Sequence, residues 1–182
     1  MSAPPSTRHR LVEDNVALLR QGVAVLESLP DGLYAAEEAR VSSSGIGGHV
    51  RHCIDYYRCL LRGLDSGRVD YDRRERDERI ERDRDHAVAS MRALIEDLRG
   101  LAETDLEPAL QVKMDCGLED EAHAPWSRSS VPRELHALIS HTVHHYALVA
   151  VVLRLQGVEP PAEFGVAPST LRHWEERQAC AR

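Results

Sequence analysis

Residues 131–156 read VPRELHALISHTVHHYALVAVVLRLQ, a run with no glycine inside it, with Pro132 near its start and Gly157 and Pro160 just beyond its end. Ser129 and Ser130 offer N-cap hydroxyls, Pro132 suits a first helical turn, and Glu134 suits the positive end of the helix dipole. The stretch therefore predicts one long helix. Its stripe of Leu138, Val149 and Val152 has to be covered, so the rest of the chain must supply helices that pack on it.

Those helices are visible on either side. Leu11, Val12, Val16, Leu19, Val23, Leu26 and Leu29 recur at three- and four-residue steps until Pro30, which predicts a first amphipathic helix. Ser42, Ser43 and Ser44 precede a second, over 46–64, with Val50, Ile54, Tyr57, Leu60, Leu61 and Leu64 at helical spacing. A third carries Ala87, Val88, Met91, Leu94, Ile95, Leu98 and Leu101 on one stripe and has Gly100 near its end. Between the second and third, residues 69–85 (VDYDRRERDERIERDRD) alternate charges of opposite sign, which predicts a solvated connection or short helix laced with weak ion pairs. The functional alternative is that Arg74 and Arg76 bend over a nearby cleft and grip a carboxylate or phosphate. Weak alternation at Leu110, Val112 and Met114 predicts a short extended segment within 106–115, and Ser169-Thr170 predicts the cap of a short terminal helix with Leu171 and Trp174. The organisation expected is a flexible tail over 1–9, one bundle over 10–160, and a C-terminal extension over 161–182. The fold class expected is all-α: a four-helix bundle with long crossover connections.

Composition excludes several classes of function. The chain has 182 residues, 42% hydrophobic and 29% charged, which is one folded domain's worth and argues against disorder. Its longest apolar run, 147–153, is far shorter than a bilayer span, so no membrane association is expected. A net charge of −7 supplies no global field for nucleic acid. The N-terminal MSAPPSTRHR has no apolar core of a signal peptide, and Cys53, Cys59, Cys116 and Cys180 show no C-x-x-C spacing, so a cytoplasmic location and free thiols are expected. Ten histidines stand against one Phe and one Lys.

His141 and His145 are four residues apart on the long helix, within about 40° of one another around its axis and about 6 Å along it. Both rings can reach one metal ion. A buried imidazole is also satisfied by a carbonyl or carboxylate, so the pair alone leaves metal and core packing both open. Thr142 follows His141, so the H-E-x-x-H arrangement of zinc proteases is absent. On the second helix, GGHVRHCIDYYRCLL places His49 and His52 three apart, and either completes a three-imidazole set with open coordination positions if the two helices are neighbours. Both also fit helix-surface or capping roles. His144 flanks the pair, and His9, His86, His123, His136 and His173 are read as surface or local hydrogen-bonding residues.

The G-x-H-V-x-H-x-x-D motif of 46–55, the long crossover and the H-x-x-x-H of 140–146 together resemble the DinB/YfiT-like superfamily. The resemblance spans about four fifths of the chain by element order and implies the superfamily's up-down-down-up bundle. It also implies a divalent metal, often zinc, nickel or iron, on one histidine of the second helix and both of the H-x-x-x-H pair. Carried over residue by residue, the ligands are His52, His141 and His145, because His52-Cys53-Ile54-Asp55 aligns with the family's H-L-A-D; His49 is the alternative. Characterised relatives include thiol S-transferases that use bacillithiol or mycothiol, glutathione-dependent isomerases, and the metal-binding domain of sulfoxide synthases. In all of them a metal lowers the pKa of a thiol or water.

The resemblance thus implies a metal-dependent thiol transferase or hydrolase acting on a small thiol or anionic co-substrate. Tyr56 and Tyr146 are candidates for proton transfer, Asp55, Asp72 or Asp77 for orienting a ligand, and Tyr71, Arg74 and Arg76 for gripping an anion. The alternatives are a non-catalytic metal-binding or stress-associated bundle, and a metal-free structural or interaction protein. The broad stripe on the first helix (Leu11, Val12, Leu18, Leu19, Val25, Leu26) predicts a homodimer.

Overall fold

A computed structural model describes residues 7–30, 32–36, 45–102, 109–115 and 125–180. Among these the chain is mostly helical with one small sheet. The elements run α1 (Thr7–Ser28), α2 (Gly45–Gly63), β1 (Arg68–Asp70), α3 (Glu78–Arg82), α4 (Arg84–Ala102), β2 (Ala109–Lys113), β3 (Ser127–Ser130), α5 (Val131–Leu155) and α6 (Pro168–Cys180).

α1 and α2 each pack against both α4 and α5, and the apolar stripes meet in one core that includes Leu19, Leu26, Ile54, Leu60, Met91, Leu98, Leu135 and Leu153. This consumes the broad stripe of α1 inside a single chain: Leu11, Val12, Leu19, Val25 and Leu26 are buried. Leu18 of the same stripe is half-buried, and much of the stripe's breadth serves the two neighbours α4 and α5. α5 is long and apolar enough by composition to cross a membrane, yet it is a core helix packed on α1 and α2. A chain of buried hydroxyl and amide groups ties these three helices. Thr142 Oγ1 donates to the Tyr57 hydroxyl at 3.3 Å, Tyr57 donates to Asn15 Oδ1 at 2.8 Å, and Asn15 Nδ2 donates to the carbonyls of Leu11 and Leu135.

The chain is mostly helical, as expected, and among the described residues three strands add a small sheet in the order β1-β2-β3. β1 pairs with β2 in parallel with Val69 opposite Val112, and β2 pairs with β3 antiparallel with Gln111 opposite Arg128. β1 lies inside the stretch read as a charged connection. It contributes only Val69 to the interior, and its stability comes from backbone pairing that a charge pattern cannot reveal. β3 is SRSS, whose side chains carry no alternation. The extended segment expected within 106–115 is β2, beginning at Ala109; residues 103–108 lie outside the described residues.

Three boundaries also move. α1 begins at Thr7, so residues 7–9 are helical and not part of a tail. α4 begins at Arg84, where Asp83 accepts from the His86 backbone N–H at 2.9 Å. α6 begins at Pro168, with the Ala167 carbonyl accepting from Thr170 and Leu171, so Ser169 and Thr170 sit in the first turn instead of capping it. α5 starts where its signals put it, with Ser130 accepting from the Arg133 N–H and Pro132 in the first turn.

Residues 71–83 fold back along α2. Asp77 caps α3, and the Arg51 guanidinium of α2 bonds both Asp55 on its own helix (2.8 Å) and Glu81 of α3. The helices approach so closely that a Cβ on Gly47 would lie 2.0 Å from the Glu81 carbonyl oxygen. Glycine at 47 is what lets this crossing form. It brings the Arg-rich segment alongside the face of α2 that carries His52.

Candidate metal centre

α2 and α5 are neighbours, and one face of each turns its histidines toward the other. One ligand atom from each of His52, His141 and His145 lies within 4.8 Å of the other two. Ring centroids are 4.9 Å apart for His52 and His141, 4.6 Å for His52 and His145, and 4.5 Å for His141 and His145. The half-buried rings are held neutral. Burial, with the neighbouring histidines and Arg74 adding, lowers His52 to about 4; burial, then His144 and Arg74, lowers His141 to about 4; burial, then His141, His52, His49 and His144, lowers His145 to about 3. Neutral imidazole is the ligating form.

The donor set passes a second test of fit. His141 Nδ1 is buried without a hydrogen-bond partner, an orphan that costs free energy unless something takes it up. His49 lies one turn before His52 and just outside the cluster. Its Nδ1 is 3.1 Å from Nδ1 of His145, so one of these nitrogens carries a proton and the other accepts it. His144 meets the His145 ring edge-on at 5.2 Å but is exposed.

Tyr56, one turn after His52, stacks on the His141 ring with centroids 4.0 Å apart and planes at 17°. Tyr71, just past β1, stacks on the other face of Tyr56 at 5.0 Å. The Tyr71 hydroxyl donates to Glu134 Oε2 at 2.7 Å, and Glu134 is fully buried, also held by Ser129 and Arg133. A carboxylate on α5 thus anchors a pair of tyrosines that wall in His141. Periodicity carries no signal for this arrangement, because it depends on β1 placing Tyr71. The Tyr56 hydroxyl donates to Met114 Sδ at 3.5 Å, a weak acceptor, and burial raises the phenol pKa.

The remaining candidates divide. Arg74 reaches the centre: its guanidinium donates to His52 Nδ1 at 3.0 Å and lies 5.7 Å from the Tyr56 ring centroid. Arg76 is exposed, with a left-handed backbone at φ 53°. Tyr146 does not join the site, because one helical step of about 100° from His145 turns it into the core. There its hydroxyl donates to the Leu18 carbonyl at 3.1 Å and its ring stacks on Phe164. Asp55 is buried and bonds Arg51, not His52; burial raises its pKa and Arg51 pulls it back. Asp72 accepts from the Asp115 N–H and Asp77 caps α3 while pairing with His86, so neither orients a histidine of the cluster. Cys53 and Cys59 are buried free thiols outside the cluster.

A family model described as the DinB superfamily matches residues 18–149 of this chain. A protein of Rhizopus delemar named FK506-binding protein 5 is 30% identical over 105 residues, which are 58% of this chain and 27% of that protein. The chain therefore spans about a quarter of that relative's length. No solved structure matches.

Proposed function

The chain belongs to the DinB superfamily, and on that premise we propose that it is a DinB-type four-helix bundle holding one divalent ion on His52, His141 and His145. We further propose that it uses the ion as a thiol S-transferase or hydrolase. The observation that carries the reading is the convergence of three neutral imidazoles from two helices on one point. Three ligands leave coordination positions open, as catalytic sites do. Zinc, nickel and iron all suit the donor set. When bound, such an ion supplies Lewis acidity and lowers the pKa of a thiol or water that it meets.

The chain's own residues supply orientation and charge. His49 Nδ1 accepts the Nδ1 proton of His145, which fixes the tautomer whose Nε2 lone pair is free to ligate. Tyr56 holds the plane of His141, and Tyr71 and Glu134 hold Tyr56. Arg74 has only donors, so it cannot stay on His52 Nδ1 once His52 ligates: through Nδ1 the lone pair is taken, and through Nε2 the proton moves to Nδ1. Were His52 to hold an ion, the Arg74 guanidinium would be free to bind a carboxylate or phosphate of the co-substrate. The Tyr56 hydroxyl, kept protonated by burial and held only by the weak acceptor Met114 Sδ, is the group available to give a proton to a leaving group.

Cobalt substitution tests the catalytic part. A d–d spectrum that shifts on adding a small thiol is expected for open positions. A four-ligand spectrum that no thiol perturbs would favour the non-catalytic metal-binding reading.

A further inference from the structure

A cleft of about 630 Å³ lies beside β1 and has none of the three histidines in its lining. Its walls carry Arg62 from the end of α2, Arg68 and Asp70 from β1, Arg73 from the following turn, Lys113 from β2, and Trp126 just before β3. Four cations thus face one carboxylate in a protein whose net charge is −7. Strand alternation explains the segregation: Val69 points into the core, so Arg68 and Asp70 point into the cleft. The β1–β2 register then sets Lys113 beside Asp70.

The cations are poorly compensated. Arg73 reaches Asp70 only at 3.9 Å, whereas Arg62 pairs with the half-exposed Glu75 and donates its other nitrogens to the Arg58 and Arg73 carbonyls, so Arg68, Arg73 and Lys113 are the less compensated three. Arg68 lies 4.3 Å over the Trp126 ring and has no carboxylate partner among the described residues. Lys113, the chain's one lysine, makes no ion pair with any described residue. An anion entering the cleft gains charge-assisted hydrogen bonds from these incompletely paired cations.

We propose that this cleft is a binding site for a small soluble polyanion bearing two or more phosphate or carboxylate groups, bridged between Lys113 and the Arg62, Arg68 and Arg73 guanidiniums. The volume falls in the range of small-molecule sites, and arginine forks suit planar and tetrahedral oxyanions. An extended polyanion such as nucleic acid is disfavoured, because a net charge of −7 supplies no global attraction for it. The proposal does not depend on a metal at the three histidines.

Titration calorimetry with inorganic pyrophosphate at about 0.15 M salt is the test. Saturable binding is expected, weakened about tenfold or more in Lys113→Gln and in Arg68→Gln, retained in Lys113→Arg, and unchanged in His141→Ala. Arg68 is exposed, so its variant gives the reading if Lys113→Gln fails to fold. Absence of saturable binding into the millimolar range overturns the proposal. So does loss of binding in His141→Ala alone, which would assign the anion to the histidine centre. Tighter binding of a single-stranded oligonucleotide that displaces pyrophosphate would replace the small ligand with nucleic acid. The β2–β3 connection carries Glu119, Asp120 and Glu121. If the wild type binds nothing while the variant neutralised at those three positions binds, the chain's own acids are the occupant and the proposal fails.

Discussion

His145 is where the contacts of the site converge. Its ring lies 4.5 Å from that of His141 and 4.6 Å from that of His52, and its Nδ1 is 3.1 Å from His49. Burial depresses it furthest of the three, which keeps both nitrogens available for a hydrogen bond on one side and a ligand on the other. Arg74 is the residue whose role changes with loading. Because its guanidinium occupies His52 Nδ1, Arg74→Ala removes a competitor for that imidazole as well as an anion donor. The variant is expected to bind cobalt at least as tightly as wild type, read by equilibrium dialysis, while losing affinity for an anionic thiol about tenfold or more. Loss of cobalt in this variant would show that Arg74 supports the centre instead of guarding it.

At this scale the spacing of His141 and His145 is legible in the sequence because both lie on one long uninterrupted helix. His52 is legible only with the family motif, since periodicity treats it and His49 alike. Tyr146 is misread by adjacency: standing next to a ligand on a helix means pointing about 100° away from it. The Tyr56–Tyr71–Glu134 arrangement is hidden because three elements distant in sequence build it.

At the scale of elements, the close crossing of α2 and α3 positions the Arg-rich segment. Adding one methyl at Gly47 drives a Cβ to 2.0 Å from the Glu81 carbonyl oxygen, which belongs to backbone and cannot rotate aside. Gly47→Ala is expected to cost about 1–3 kcal/mol by denaturant unfolding and to move Arg74 off His52. A variant as stable as wild type would mean that the two helices can part freely. The buried relay from Asn15 through Tyr57 to Thr142 makes the same point in polar terms. Tyr57→Phe leaves buried groups on α1 and α5 without their partner and should cost about 1–3 kcal/mol, read as a lowered unfolding midpoint. Neither feature is visible to hydrophobic periodicity. Asn15 and Thr142 read as gaps in apolar stripes, and β1 and β3 are too short and polar to register as strands.

For the whole molecule, the histidine cluster couples stability to pH. The three rings titrate near 6.5 when unfolded, but folding lowers His52 and His141 to about 4 and His145 to about 3. Between those limits the unfolded chain binds more protons than the folded one, so unfolding free energy falls as pH drops below about 6.5 and levels off once the folded rings protonate. Asp55, whose carboxyl is raised by burial, acts in the opposite direction, but it is one group against three. In chelator, the thermal midpoint should therefore decline from neutrality to about pH 4, and His141→Asn should flatten the slope. A midpoint independent of pH across that window would contradict the burial of neutral imidazoles. The helical core that holds this cluster is legible from periodicity alone, because α1, α2, α4 and α5 each carry a continuous apolar stripe.

The central claim is that His52, His141 and His145 hold one divalent ion, and elemental analysis of protein purified without a polyhistidine tag tests it most directly. Near-stoichiometric metal is predicted for wild type and for Tyr146→Phe, with loss in each of His52→Ala, His141→Ala and His145→Ala. Full retention of metal in His52→Ala, or no metal in wild type after incubation with zinc, nickel and iron, would contradict the account.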